Sequence, residues 1–165
     1  MYIETNPNVS FLDEYKFQAD VLIPILKALR AELGDEHANR LVLGALRQWS
    51  REKSHQRGAL ISGSPIDKWT ALMNSSGPRI GNDTDFEWLK NDSEAVECNI
   101  TGCRYADFFQ QIGEPELGAV LCCEGDYHDT EVGWPDVEFT RTQTIMDGAA
   151  YCDCRWRIKS SRVPK

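Results

Sequence analysis

The first third of the chain carries apolar residues at helical spacing, bounded by residues that start and stop helices. Ser10 followed by Asp13 is typical of a helix N-terminus, and Gly34 is typical of a helix end. The apolar positions between them that recur at helical spacing are Leu22, Ile25, Leu26, Leu29 and Leu33. Pro24 lies inside this segment, so we expect a kink or a break near residues 21–23.

A second helix is predicted directly after Gly34, with Asp35 as its capping residue. Its apolar residues follow the spacing of one helix face, and they are Ala38, Leu41, Val42, Ala45, Leu46 and Trp49. We expect this face to point into the core.

The segment Ser64-Pro65-Ile66-Asp67 repeats the signature of a helix start, with proline at the first helical position. It predicts a short third helix that ends at Met73, before the breaker-rich residues 74–78. Residues 81–83 have the composition of a turn.

Alternating apolar and polar positions begin after this turn and predict two β-hairpins. Residues 86–89 and 95–100 form the first hairpin, and residues 137–144 and 150–158 form the second. Helix signals lie between them, at residues 103–111 and again from Pro115 to about Asp126 or His128.

These elements predict an α+β fold, in which N-terminal helices pack on a small antiparallel sheet of two hairpins separated by a helix pair. The length of 165 residues fits a single domain, residues 1–165. Residues 1–79 are its helical part, and residues 80–165 are the hairpin-helix-helix-hairpin part that carries the candidate site.

Charge and hydropathy exclude several classes of function. The net charge of -8 disfavours nucleic-acid binding, and no apolar run approaches the length of a membrane span. Residues 1–6 are polar and lack the pattern of a signal peptide, so we expect a cytoplasmic protein that does not bind membranes. Basic residues gather near the C-terminus, at Arg155, Arg157, Lys159, Arg162 and Lys165. The spacing of the first three places them on one face of a strand, which we expect to be solvated.

All six cysteines lie in the C-terminal half. A reducing cytosol keeps thiols free, so we expect thiol or metal chemistry rather than disulfides. Cys98, Cys122 and Cys154 are expected to be small core side chains. Cys103 lies in the first turn of a predicted helix, where the helix N-terminus would favour the thiolate over the thiol; simple packing under the hairpin is the equal alternative.

Two acid-bearing pairs lie on the helix after Pro115. Cys123 and Asp126 are three residues apart, which places both on one helix face, and Glu124 and His128 form a second pair four residues apart. Either pair could supply an acid or a base, although an acidic helix end is also typical of plain solvated surface.

Arg141 alternates with Phe139 and Gln143 on the third predicted strand. On the inner face it could bind a substrate carboxylate through two hydrogen bonds, and on the outer face it could pair with Asp153 or a neighbour. Both orientations stay open. The cysteine spacings do not match the CxxC pattern of structural zinc sites, and the chain carries no glycine-rich phosphate loop, GxSxG or HExxH motif.

Several segments together resemble the L-2-amino-thiazoline-4-carboxylic acid hydrolase family. They are Gly102-Cys103-Arg104-Tyr105-Ala106, Gly113-Glu114-Pro115-Glu116-Leu117-Gly118, Cys123-Glu124-Gly125-Asp126, Phe139-Thr140-Arg141-Thr142, and Cys152-Asp153-Cys154-Arg155-Trp156 after Gly148. The resemblance implies a small cytosolic bacterial hydrolase that opens a cyclic C–N bond, as in the conversion of a thiazoline amidine to an S-carbamoyl amino acid. The family-like positions are Cys103, Cys123, Asp126, Arg141, Thr142, Gly148 and Cys152.

We therefore expect a hydrolase that acts on a C–N bond of a small cyclic amide, amidine or thiazoline-like substrate, without a cofactor. Cys103, Cys123 or an activated water would attack, and Asp126 would move protons. Substrate binding is assigned to Arg141, Thr142, Cys152 and His128. The partner is a small-molecule substrate, and the chain is compatible with a homo-oligomer.

Two alternatives come from other classes of protein. One is a non-catalytic domain whose cysteines bind a metal or a ligand or respond to oxidation. The other is an accessory subunit, which would expose an apolar patch near Trp49, Trp69 or Trp134.

Overall fold

The computed structural model describes residues 8–159, and this part of the chain forms the predicted α+β fold. The helices are α1 (Phe11–Leu33), α2 (Asp35–Leu60), α3 (Pro65–Ile80), α4 (Arg104–Gln111) and α5, a helical run over residues 115–133. The strands are β1 (Thr84–Asn91), β2 (Ala95–Cys103), β3 (Val137–Thr140) and β4 (Cys152–Ile158). The polar residues 1–6, Arg162 and Lys165 lie outside the described residues.

Helix α1 begins and ends where the sequence predicts. The amide of Asp13 donates to Ser10 Oγ over 3.0 Å, and Gly34 ends the helix with φ of 79°. The helix does not break at Pro24. Burial of Ala19 and Leu26 on either side of the proline holds the helix against the core, which offsets the lost hydrogen bond.

The buried face of α2 differs from the predicted one. Leu41 and Trp49 are 50% and 43% exposed, whereas Leu43, Ser54 and Gly58 are buried. The predicted apolar face is therefore only half correct, because the side of α2 that faces the rest of the protein is largely polar. Gly34 occupies the capping position, and Asp35 is the first helical residue rather than the cap.

Helix α3 has the predicted capping box between Ser64 and Asp67. The prediction that it ends at Met73 is wrong, because the helix continues through Pro78 to Ile80 and stops at Gly81. Pro78 lies in the last turn of the helix, where it removes only the one backbone hydrogen bond that its own amide would donate.

The four strands form one antiparallel sheet in the order β1-β2-β4-β3. Cys98 pairs with Cys154, and Phe139 pairs with Trp156. Their side chains lie on the inner face, which the helices cover. The apolar side chains at the contact of α3 with the sheet are Trp69, Leu72, Val96, Trp134 and Val137. Of the tryptophans proposed for an exposed patch, Trp69 and Trp134 are thus buried, and Trp49 is exposed.

The second hairpin has shorter strands than predicted. β3 ends at Thr140, and the chain loops over residues 141–151 before β4. The carboxylate of Asp153 accepts hydrogen bonds from the amides of Thr142 and Gln143 over 2.8 and 3.0 Å. A side chain on β4 thus takes the place of ladder bonds that a longer β3 would make.

The outer face of the sheet is charged, as the C-terminal basic residues predict for Arg155 and Arg157. Arg157 donates to Glu97 over 2.8 Å, and Arg155 lies 3.9 Å from the same carboxylate. Among residues 8–159, no helix has both the length and the apolar character needed to cross a membrane.

Helix α5 is longer and less regular than predicted, because it runs on to residue 133. Two of its turns are π-helical, at Ala119–Cys123 and Asp129–Gly133. In the first, the amide of Glu124 donates to the carbonyl of Ala119, five residues earlier, over 2.9 Å. Such turns occur frequently at functional sites.

Candidate functional site

Five of the candidate site residues gather where α5 meets the sheet and the loop 141–151. They are Cys103, Cys123, Asp126, Arg141 and Cys152, and each lies close enough to another member that its ionised form would shift that member's pKa. We call these five residues the α5–sheet cluster. They come from the end of β2, two turns of α5, the loop after β3 and the start of β4.

Arg141 is the centre of the cluster. One Nη donates to Asp126 Oδ2 and the other donates to the carbonyl of Cys123, each over 3.0 Å. The side chain is only 6% exposed, and its guanidinium lies 5.3 and 5.4 Å from the rings of Tyr127 and Phe139. Both Nη groups are therefore engaged within the protein, and the guanidinium holds Asp126 in place.

This geometry decides between the two orientations considered for Arg141. The side chain points inward and does not pair with Asp153, which bonds to Thr142 and Gln143 instead. Tyr127 completes the arrangement by donating its hydroxyl to the carbonyl of Arg141 over 2.9 Å. Sequence reasoning missed Tyr127, because no spacing pattern connects a helix residue to a loop fourteen positions later.

Asp126 is the carboxylic acid of the cluster, and it is partly open to solvent. Its side chain is 37% exposed. The surrounding protein nevertheless raises its pKa to about 6 by burial, against the opposing effect of Arg141. A carboxyl group with such a pKa is mostly ionised at pH 7 and can both accept and return a proton.

The thiols of the cluster are neutral near pH 7. Burial raises the pKa of Cys123 to about 12, and Arg141 only partly offsets this. Cys103 is the capping residue of α4, yet burial raises its pKa too, and the backbone amides of Ala106 and Tyr105 act in the opposite direction without reversing it. The helix N-terminus thus does not yield the thiolate that the sequence suggests for Cys103.

Cys152 and Thr142 hold the loop in place. Cys152 is buried, its sulfur accepts a hydrogen bond from the amide of Ile145 over 3.2 Å, and burial raises its pKa. Thr142 donates its hydroxyl to Asp153 over 2.6 Å. Both residues therefore shape the loop next to the cluster.

His128 lies on the other side of α5, against α2. It is 7% exposed, and its Nδ1 is 3.0 Å from Ser50 Oγ. Burial lowers the pKa of His128, while Glu124 raises it. The structure thus separates His128 from the α5–sheet cluster, although the two are close in sequence.

His128 belongs to a row of polar contacts between α2 and α5, which we call the α2–α5 polar interface. Its contacts are Arg47 with Glu124, Ser50 with His128, Arg51 with Glu131, and both Ser54 and Arg57 with Asp129. The two backbones lie close together where Gly58 faces Gly133. The acidic end of α5 is thus paired with cations, not merely solvated.

The remaining features concern metal binding and the depressions on the protein surface. All six cysteines are free thiols. Among residues 8–159, no three His, Cys, Asp or Glu side chains are grouped so that they could hold a metal ion. Two surface depressions of about 240 and 270 Å³ lie beside α2 and at the α1–α2 turn, away from Asp126.

Comparison with known families gives one match that covers most of the chain. The family described as L-2-amino-thiazoline-4-carboxylic acid hydrolase matches residues 14–156, a span that contains the whole α5–sheet cluster and the α2–α5 polar interface. No curated protein matches the chain.

Proposed function

The chain belongs to the L-2-amino-thiazoline-4-carboxylic acid hydrolase family, and from this membership we propose that it hydrolyses a C–N bond in a small cyclic amide, amidine or thiazoline-like substrate. The family name is that of a hydrolase. The bond and the substrate class are our proposal.

The proposed mechanism rests on the position, the exposure and the pKa of Asp126. Its carboxylate is held by Arg141, partly open to solvent, and has a pKa of about 6. Burial raises the pKa of Cys103, Cys123 and Cys152, so none of these thiols has the depressed pKa of a reactive cysteine. These properties favour a water activated by Asp126 over a cysteine thiolate as the nucleophile.

For a thiazoline amidine the proposed steps balance as a simple hydrolysis. Ionised Asp126 takes a proton from water as the oxygen adds to the amidine carbon between sulfur and nitrogen. Protonated Asp126 gives this proton to the ring nitrogen, whose double bond to the carbon has become a single bond. The bond from this carbon to the ring nitrogen then breaks as Asp126 carries the proton of the new hydroxyl group to the leaving nitrogen, and the carbon keeps the oxygen as a carbonyl. The product is an S-carbamoyl amino acid with a free amine.

The other residues of the cluster have supporting roles in this proposal. Arg141 fixes the position of Asp126, and the neutral thiols of Cys103, Cys123 and Cys152 line the site. Thr142 orders the adjacent loop through Asp153, and His128 contributes to the α2 contact rather than to the substrate. We also propose that the protein works in a reducing compartment such as the cytoplasm, which its six free cysteines support.

The decisive experiment replaces Asp126 and the thiols one at a time. With L-2-amino-thiazoline-4-carboxylic acid as substrate and product measured by mass spectrometry, Asp126→Asn should lower kcat by about 10²- to 10⁴-fold. Cys103→Ser and Cys123→Ser should retain most of the activity.

Asp129→Asn is the matched control, because Asp129 lies on the same helix but bonds to Ser54 and Arg57 of α2. We expect it to lower stability and to leave the turnover of the folded protein near that of the wild type. An active Asp126→Asn together with an inactive Cys123→Ser would replace the water mechanism with a covalent one. Absence of turnover by the wild type on this compound and on a panel of cyclic amidines and amides would contradict the proposed function itself.

A further inference from the structure

Helix α1 exposes a row of apolar side chains on the side opposite the core. Phe17, Val21 and Ile25 are 69%, 61% and 49% exposed, and each comes four residues after the previous one. Ala19 and Leu26, which point the other way, are fully buried. Single exposed hydrophobic residues are ordinary, but a row of three large ones along one helix face marks an interaction surface.

Helix α2 carries a similar row. Leu41 and Trp49 are 50% and 43% exposed, and Ala45 between them is also exposed. These three residues are again spaced at intervals of four, so they share one side of the helix.

The two rows lie side by side. Lys53 contacts Glu14, and Asn39 contacts Arg30, so α1 and α2 run antiparallel. These two contacts place residues 46–48 of α2 level with Val21, between Ala45 and Trp49. We call the six residues of the two rows the outer face of the α1–α2 hairpin.

The charges beside this face favour a second copy of the same chain. Asp20 and Lys27 are seven residues apart, two helical turns, so both flank the α1 row on the same side. When two copies of α1 meet antiparallel about a two-fold axis near residues 23 and 24, Asp20 of one copy faces Lys27 of the other, and the reverse pair forms by symmetry. The net charge of -8 also disfavours an anionic membrane surface as the occupant.

We propose that the outer face is a homodimer interface, in which α1 and α2 of two copies form an antiparallel four-helix arrangement. The α1 rows of the two copies pack against each other, and the α2 rows extend the contact on the side away from Asp20 and Lys27. The proposal is independent of the hydrolytic function, because none of the six residues belongs to the α5–sheet cluster.

Sedimentation velocity over a range of concentrations tests the interface directly. The wild type should sediment as a dimer that dissociates on dilution, and Val21→Glu should be a monomer at the same concentrations, because two carboxylates would be buried in the contact. Leu89→Glu is the matched control, since Leu89 on β1 is 51% exposed and lies outside the outer face. It should remain a dimer, and circular dichroism should show that both variants are folded.

Charge reversal tests the antiparallel register. Asp20→Lys and Lys27→Asp should each weaken the dimer about tenfold by replacing two ion pairs with like-charge contacts, and the double variant should recover it. A wild type that stays monomeric at high concentration would overturn the proposal and leave the face to another occupant. A dimer that survives Val21→Glu but not Leu89→Glu would place the contact at β1 and would also overturn it.

Discussion

Acidic residues on the two sides of α5 have different surroundings. On the side of α2, the carboxylates of Glu124, Asp129 and Glu131 each pair with an arginine. On the side of the sheet, Arg141 holds Asp126 among neutral thiols, and burial raises the pKa of this carboxyl group to about 6.

The contacts on the α2 side hold the helix in place, whereas the groups on the sheet side are suited to chemistry. Exposed or half-exposed ion pairs contribute little each, so the α2–α5 polar interface orients α5 through many weak contacts. A carboxyl group with a pKa near the working pH is instead poised to exchange protons, which is the property that catalysis requires. Substitutions on the α2 side should therefore change stability, and substitutions on the sheet side should change turnover.

The largest expected effect comes from the close approach of α2 and α5. A Cβ atom at Gly58 would overlap the backbone of Gly133, and a backbone cannot rotate out of the way. We expect Gly58→Ala to lower the free energy of unfolding by about 3 kcal/mol, measured by urea denaturation.

Gly44→Ala is the control on the same helix, because a Cβ atom at Gly44 would have no neighbour within 4 Å. It should stabilise the protein by about 0.5–1 kcal/mol, since alanine is the better helix former. Equal stability of the two variants would show that the helices do not meet at Gly58.

The next effect is the pH dependence of turnover. Asp126 must be ionised to accept a proton from water, and its pKa is about 6. The value of kcat/KM should therefore fall about tenfold per pH unit below pH 6 and level off above it. A profile that is flat through pH 6, or that rises only in the range of a thiol, would contradict the role of Asp126.

Arg141 sharpens this test because its charge lowers the pKa of Asp126. Arg141→Gln should move the acid limb of the profile to higher pH, whereas Arg141→Lys keeps the charge and should leave it closer to the wild type. A purely structural role for Arg141 would lower activity equally at all pH values.

The smallest effects concern the α2–α5 polar interface. Ser54 is 4% exposed and donates to the carboxylate of Asp129 over 2.6 Å, so Ser54→Ala should cost about 1.5 kcal/mol of unfolding free energy. Arg47 is 46% exposed in its pair with Glu124, and Arg47→Met should cost less than about 1 kcal/mol. A larger loss for Arg47→Met than for Ser54→Ala would reverse this ranking.

The fold could be predicted from the sequence because most of its boundaries depend on local signals. Ser10, Gly34 and the box of Ser64 with Asp67 act within one helical turn, and the first hairpin has a period of two. Two of the errors arose where a distant partner decides the outcome. The length of β3 depends on Asp153, and the orientation of α2 depends on acidic residues about 75 positions later, such as Asp129 for Ser54.

The candidate site could be predicted only in part, for the same physical reason. Helical spacing identified Cys123 with Asp126, and the inward orientation of Arg141 was one of the two that strand alternation with Phe139 allowed. Burial is a property of the whole fold, so the sequence could not show that it would outweigh the helix N-terminus at Cys103. Nor could it show which face of α5 would meet α2, although the spacing of two residues in regular α-helix already places Asp126 and His128 on opposite faces.

These π-helical turns also set how α5 can tolerate changes in length. A π turn holds one residue more than an α turn, and the amide of Glu124 bonds five residues back instead of four. Deleting one residue within Ala119–Cys123 would let the segment relax to regular α-helix with its backbone hydrogen bonds intact. Because the π turn takes up this extra residue within about one full rotation, the same deletion should leave the two halves of α5 close to their present orientation, with Asp126 still facing Arg141. A deletion from a regular α turn would instead rotate the two halves against each other by about 100°. A one-residue deletion within this π turn would thus spare both the helix and the pair on which the proposed chemistry depends, whereas the same deletion from a regular turn of α5 would separate the pair.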